Sequence, residues 1–336
     1  MLCWGMFGGK IRDVGVIGLG IIGSRVAERL RRADYHVFVW NRTTRAVPGF
    51  LASPHEIAEV AQVIQIFVRD AEALLEVMND MKPVLKKHHI ICAHATVSKA
   101  AMLEAANIAA EMGAGFLDCP FTGSRMAAEN GELVYYVGGD QKELEKATKV
   151  LEASSKKIMH FGKVGDATVL KIVTNLVSGA VVGALAEALA ITKTQGVEAE
   201  MLMQAFEGNA NCSPLIKMKL PAMITAGYEP HFSLKNMLKD GRYAQILAKE
   251  KDLAALVLDA SVKAMDKAAK AGKGDLDFAV VYENFSLVKP ESKPIKSDKI
   301  KINKNGGRSS LKASAFEESA EESGDAESSP AEPPPA

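Results

Sequence analysis

The run VGVIGLGIIGSRVAERL, residues 14–30, decides how the N-terminal half folds. Val14–Ile17 is an apolar strand. Gly18, Gly20 and Gly23 then form G-x-G-x-x-G, and an amphipathic helix opens at Ser24. A second apolar strand, VFVW (Val37–Trp40), follows. Strand, glycine turn and helix in this order form the context in which such a motif holds a dinucleotide. Gly18 permits the tight turn, Gly20 lets the backbone approach a pyrophosphate, and Gly23 lets helix pack on strand. The helix N-terminus offers N–H groups and partial positive charge to the phosphates. Gly18, Leu19, Gly20, Ile21, Ile22 and Gly23 are therefore candidate cofactor contacts. A glycine turn without a ligand is the competing reading.

The residues after the second strand bear on which cofactor. They read Asn41-Arg42-Thr43-Thr44-Arg45, without an acid to accept from a ribose 2′-hydroxyl. Arg42 can pair with a 2′-phosphate, and Asn41 and Thr43 can add hydrogen bonds. NADP(H) is favoured, and NAD(H) stays open, as does a solvated turn with a surface arginine.

Further apolar strands are expected at Val63–Val68, Ile90–Ala93, Phe116–Pro120 and Leu133–Gly139. Helical patterns separate the first of them, at Ala71–Lys82 and Ser98–Met112. Strands apolar throughout, alternating with helices, imply a doubly wound parallel sheet covered on both faces. After Ile158–Phe161 the strand signal stops. Asp166–Gly196 reads as one long helix, with further helices to about Ala271. The chain is thus read as an α/β sheet domain at 11–165 and an all-helical domain at 166–287, joined by the long helix. The tail, 288–336, holds a basic block (eight Lys/Arg in Lys289–Lys312) and then an acidic one (seven acids in Glu317–Glu332). Blocks of like charge and low hydrophobicity predict a disordered tail.

Composition excludes several classes. Of 336 residues, 48% are hydrophobic and 24% charged, and 41 bases balance 41 acids. Zero net charge argues against a protein built around nucleic acid. Cys3, Cys92, Cys119 and Cys212 have no metal-ligand spacing and suit a reducing compartment. No metal site is expected. No apolar run of about 18 residues is free of charge, so no membrane span is expected. Met1–Lys10 is too short for a signal peptide, and a cytoplasmic protein is the simple reading.

Other candidate chemistry lies at strand ends and on the long helix. Asp118-Cys-Pro-Phe-Thr122-Gly123-Ser124 can present backbone N–H groups and hydroxyls to an anion, or is simply a polar loop. Thr96 follows a strand end, where ligands of open sheets sit, or caps the next helix. Lys171 and Asn175 are four apart, on one face of an apolar helix. A desolvated lysine with lowered pKa can deliver and accept a proton, while a snorkelling surface lysine is the alternative. His88, His89 and His94 lack ligand spacing and read as structural. Lys239-Asp240 is either a surface pair or part of a cleft.

Together, in order, these segments resemble the β-hydroxyacid dehydrogenase family, which includes 3-hydroxyisobutyrate dehydrogenase and the glyoxylate/succinic semialdehyde reductases. The likeness runs from Val14 to Phe285. FGKVGDATVLKIVTN resembles the family's catalytic G-x-x-G-x5-K-x-x-N-N, Phe232–Asp240 its F-x-L-x-x-x-x-K-D, and Gly272–Asp277 its G-x-G-D-x-D. The resemblance implies a Rossmann-type fold, Lys171 as proton donor and acceptor, and Asn175 positioning the substrate. It implies Thr122, Gly123 and Ser124 at the substrate carboxylate. Thr96 would lie near the nicotinamide, with Val68 and Lys239 facing the cofactor. A small aldehyde or keto acid, interconverted with its hydroxy acid, would be the substrate, and a homodimer or homotetramer the assembly. Thr174, Ser124, Phe121, Thr122, Ala93, Ala95 and Arg69 depart from the family pattern around the pocket. The rival reading is a non-catalytic nucleotide-binding scaffold using its charged tail.

Overall fold

In β1 (Asp13–Ile17) the side chains of Val14, Val16 and Ile17 have no solvent exposure, as a strand covered on both faces requires. The computed structural model describes residues 11–285; the tail expected to be disordered lies outside them. β2 (His36–Trp40) and β3 (Val63–Ile66) flank β1, with Val14 opposite both Val37 and Val63. β4 (Ile90–Ala93) and β5 (Gly115–Asp118) continue the parallel sheet. The crossovers are α1 (Gly23–Arg32), α2 (Pro54–Val60), α3 (Ala71–Met81) and α4 (Lys99–Glu111). The strand order is β2-β1-β3-β4-β5, so the chain changes direction across the sheet between β1 and β3. A crevice opens at such a switch point, beyond the strand C-termini.

Beyond β5 the sheet is not parallel, contrary to expectation. β7 (Leu133–Gly139) runs antiparallel to β5 and to the short β6 (Phe121–Thr122). Residues 119–132, which join β5 to β7, are spent on β6 and α5 rather than on one crossover. A parallel return needs a crossover of about a dozen residues. Only Cys119 and Pro120 separate β5 from β6, and only the six-residue α5 (Arg125–Asn130) lies in the β6–β7 connection. Between β7 and β8 (Ser155–His160) the 12-residue α6 (Gln141–Glu152) fits, and those two strands are parallel.

The long helix is α7 (Asp166–Thr194), 29 residues and about 44 Å at 1.5 Å per residue. Its first turn is tied to the sheet by Asp118 at the end of β5. The Asp118 carboxylate accepts from Gly165 N (3.0 Å), Thr168 N (2.9 Å) and Thr168 Oγ1 (2.7 Å). Further along, Ile172, Val182, Leu185, Ala186 and Leu189 are buried in the core of the helical layer. That layer comprises α8 (Ala199–Glu207), α9 (Pro214–Thr225), α10 (Leu234–Lys249) and α11 (Leu256–Ala268).

With mean hydropathy 1.8 over its best window, α7 is long and apolar enough to cross a membrane, because Lys171 and Glu187 interrupt it too sparsely to prevent that. Its apolarity has a second cause here, since one side of it is core.

Asp118→Ala is expected to cost about 3 kcal/mol, because buried donors lose a charged acceptor. Chemical denaturation against wild type measures it; a loss under about 0.5 kcal/mol, the scale of an ordinary surface substitution, would contradict this role.

Candidate active site

The turn after β1 is fixed by close contacts. Gly18 has φ +93°, and a Cβ there would lie 2.2 Å from the Phe67 carbonyl oxygen. A Cβ at Gly23 would lie 2.0 Å from the Gly18 carbonyl oxygen. Gly20 differs, for nothing lies within 4 Å of where its Cβ would be. Its lack of a side chain leaves room beside the backbone. Leu19 N donates to Asn41 Oδ1 (2.9 Å) and Asn41 Nδ2 to Thr43 O (2.8 Å), which joins the turns after β1 and β2. No side chain caps the N-terminus of α1, and its first turn has no acid. An open backbone, an uncapped helix end and no opposing carboxylate fit a dinucleotide pyrophosphate.

A cleft of about 310 Å³ lies against this turn. It collects Gly20, Ile21, Ile22, Gly23, Val68, Thr96 and Lys239 from the residues singled out above. Gly18, Leu19, Asn41, Arg42, Thr43, Thr122, Gly123, Ser124, Lys171 and Asn175 are not in its lining. Phe67, Phe121 and Phe232 add aromatic walls.

The helical layer closes the cleft through α10. Lys239 Nζ donates to the Thr96 carbonyl and to Asp240 Oδ1 (2.7 Å), and sits 4.9 Å from the Tyr243 ring centre. Asp240 Oδ2 accepts from Asn175 Nδ2 (2.7 Å). Asp240 thus links α10 to α7 while 1% exposed. Lys171, half-buried one turn before Asn175, is desolvated, which lowers its pKa from the usual value to about 8. The nearby Asp240 charge opposes that shift and the Lys239 charge adds to it. Such an amine can both give and take a proton near neutrality. Thr174, where the family has asparagine, donates to the Lys171 carbonyl (3.0 Å).

The Asp118–Ser124 segment divides its tasks. Asp118 is the helix anchor already described. Thr122 lies in β6 opposite Val134. Gly123 has φ +139°, and Ser124 Oγ caps α5 by accepting from Ala127 N (3.3 Å). Thr96 does not cap the next helix; Ser98 does, accepting from Ala101 N (3.2 Å).

His94 is buried and stacked on Phe67, centroids 4.3 Å apart. Burial pushes it down to about 3, so the ring is neutral. Its Nδ1 meets the Cys119 carbonyl (2.8 Å) and its Nε2 meets Gln65 Oε1 (3.0 Å), both acceptors. A neutral ring has one N–H, so the Gln65 amide turned end for end satisfies both groups and gives its otherwise unpartnered Nε2 an acceptor.

Two supporting residues carried weaker signals. Asp240 was visible only as half of the Lys239-Asp240 pair, and the structure puts both residues in the cleft lining. Lys219 was not singled out. Its ammonium makes a buried pair with Asp277 (2.7 Å), and Asp277 also accepts from His231 N (3.0 Å) and Phe232 N (3.2 Å). That pair holds the segment carrying the Phe232 wall. No group of three or more potential metal ligands exists among the described residues.

Residues 13–162 match the family described as the NAD binding domain of 6-phosphogluconate dehydrogenase. Residues 165–285 match the one described as NAD-binding of NADP-dependent 3-hydroxyisobutyrate dehydrogenase. The chain belongs to the β-hydroxyacid dehydrogenase family. It is an NAD(P)-dependent oxidoreductase of the type acting on CH–OH groups. Glyoxylate/succinic semialdehyde reductase 1 of Arabidopsis thaliana is 29% identical, over 81% of this chain and 97% of that relative. The chloroplastic reductase 2 of the same plant is 28% identical, over 82% and 80%. A solved 3-hydroxyisobutyrate dehydrogenase from Mycobacterium tuberculosis, with L-serine, shares the fold at TM-score 0.76. It is 24% identical and covers 82% of this chain and 99% of its own.

The glycines of this dehydrogenase separate fold from binding. Gly20→Ala is expected to leave the thermal midpoint within about 2 °C, since its Cβ meets nothing, yet to weaken dinucleotide binding at least about tenfold. Gly18→Ala, strained against Phe67, is expected to lower the midpoint itself. Melting curves and cofactor titration of both variants check this, and unimpaired binding by Gly20→Ala would refute the cradle.

Proposed function

We propose that this dehydrogenase interconverts a small aldehyde or keto acid and its hydroxy acid, with NADP(H) preferred over NAD(H). The observation that carries the reading is Lys171 one turn from Asn175, whose amide Asp240 fixes, with desolvation lowering the Lys171 pKa to about 8. The backbone of Gly18–Gly23 (Leu19, Ile21 and Ile22 included) would hold the pyrophosphate. Asn41, Arg42 and Thr43 would hold the adenosine end, and Val68, Thr96 and Lys239 would face the cofactor. When bound, the cofactor supplies or accepts hydride at the substrate carbon. In reduction, protonated Lys171 Nζ gives a proton to the carbonyl oxygen. In oxidation, neutral Nζ takes the hydroxyl proton. Asn175 orients that oxygen, while Thr122, Gly123 and Ser124 bind the carboxylate. The aromatic walls exclude water. A scaffold has no use for an amine tuned in this way, which disfavours the rival reading. The buried thiols Cys92 and Cys119 suit a reducing, cytoplasmic setting. Exposed Val177, Ile191 and Leu256 support a homodimer or homotetramer.

The test is turnover of NADPH and NADH with glyoxylate, succinic semialdehyde, tartronate semialdehyde and methylmalonate semialdehyde. Lys171→Ala is expected to lower kcat by about 10²–10⁴ while cofactor affinity changes less than about twofold. Reduction needs the protonated amine, so its rate is expected to fall as pH rises through about 8. Oxidation needs the neutral amine and rises over the same range. Full activity in Lys171→Ala, or a pH profile identical in both directions, would overturn the assignment.

Arg42→Ala is expected to raise KM for NADPH about tenfold, the scale of one charge-assisted hydrogen bond, and KM for NADH far less. Equal changes would remove the basis for NADP(H) preference.

A further inference from the structure

Two strand ends flank the turn after β1. On one side β2 ends at Trp40 and leads to Arg42. On the other β3 ends at Ile66 and leads through Phe67 and Val68 to Arg69. Neighbouring strands lie about 4.8 Å apart, so the ends of β2 and β3 stand only about 10 Å apart across β1. The β3 loop presses on the turn, since the Phe67 carbonyl occupies the space a Gly18 side chain would need. Two residues on, Arg69 lines the same cleft as Gly20, Ile21, Ile22 and Gly23.

Arg69 is exposed yet oriented. Its Nε donates to Asp70 Oδ2 (2.9 Å). Asp70 is itself fixed as the cap of α3, accepting from Ala73 N through Oδ1 (3.1 Å). Held by Nε, the guanidinium keeps its two terminal amino groups as donors. Partial burial pushes the Asp70 carboxyl up, but the Ala73 N–H, Arg69 and Arg42 together hold it below its ordinary value. The charges of Arg42 and Arg69 are thus both felt at the Asp70 carboxylate, so two cations lie near one anion. An isolated exposed ion pair contributes little stability, about 0–1 kcal/mol, so folding gives weak reason for an arginine here. Two arginines on the loops that flank the end of β1 suit a phosphate dianion, which can accept from both.

We propose that Arg69 is a second recognition residue for the 2′-phosphate of NADP(H), acting opposite Arg42. This rests on the NADP(H) preference argued above. The test reads binding without turnover, by calorimetric titration of the protein with 2′,5′-ADP and with 5′-ADP. Wild type is expected to prefer 2′,5′-ADP. Arg69→Ala is expected to weaken 2′,5′-ADP about tenfold and 5′-ADP less than about twofold. Arg69→Ala also uncovers the Asp70 charge, so Arg69→Ala/Asp70→Asn is titrated beside it; asparagine still caps the helix. The double variant is expected to stay weak for 2′,5′-ADP. Recovery in the double variant would overturn the proposal, because the freed carboxylate would then explain the loss. Equal weakening of both nucleotides, or no change in either, would overturn it too. If Arg42→Ala still erases the preference in those cases, the NADP(H) reading survives without Arg69. Equal affinity of wild type for both nucleotides would overturn both.

Discussion

The buried carboxylate of Asp118 is the contact on which the positions of the other site residues depend. It closes β5 and, with three donors, takes hold of the first turn of α7. Burial pushes its pKa up to about 6, so it is still ionised at neutral pH. The charge then faces the positive end of a 29-residue helix, the favourable orientation. A helix is stiff along its axis, so fixing its first turn fixes the turns that follow. Lys171 and Asn175 come next on α7, before the helix enters the core of the helical layer. One rod thus carries the candidate acid/base and part of the core of the helical layer.

The charges around Lys171 explain how its amine comes near neutrality. The Asp240 carboxylate lies close by, and its charge acts to keep the lysine protonated. Its two oxygens are already engaged, one by Lys239 and one by Asn175. The Lys239 cation opposes its field at Lys171, and desolvation, the largest effect, decides the direction. The same Lys239 holds the Thr96 carbonyl, so one ammonium both balances the charge and joins the helical layer to the end of β4.

What was legible in the sequence was local. β1 to β4 showed as short runs apolar throughout, and the structure places them within a residue or two of those bounds. The glycine turn and the i, i+4 pair on α7 needed only neighbouring residues to be read. The antiparallel edge was not read, because the two-residue β6 that breaks up the link from β5 to β7 carries no strand pattern of its own. Helix α6 was passed over despite its cap, Asp140, which accepts from Lys142 N (2.7 Å). Its many Lys and Glu residues hid the buried stripe of Leu144, Ala147 and Val150. The role of Asp118 lies 47 and 50 residues away along the chain, at Gly165 and Thr168. No spacing rule links an aspartate at a strand end to a helix that starts there. The same holds for Lys219 and Asp277, 58 residues apart.

The departures from the family pattern change the character of the cleft rather than its position. Ala93 and Ala95 stand where the family carries Asp and Ser, and both are buried. They remove polar groups from the end of β4. Between them His94 supplies a neutral ring that backs Phe67, and Phe67 in turn lies 6.2 Å from Phe121. Phe232 closes the cleft from the helical layer, held in place by Asp277. Polar recognition would fall to Lys171, Asn175 and the Thr122–Ser124 segment, while Phe67, Phe121 and Phe232 make the cleft wall aromatic. Such a wall stabilises a bound molecule in proportion to the apolar area it covers, about 25 cal/mol per Å². A two-carbon acid covers almost none of it. A substrate with an apolar arm beyond its reacting carbon gains from it, and that gain separates substrates which the proton-transfer chemistry treats alike.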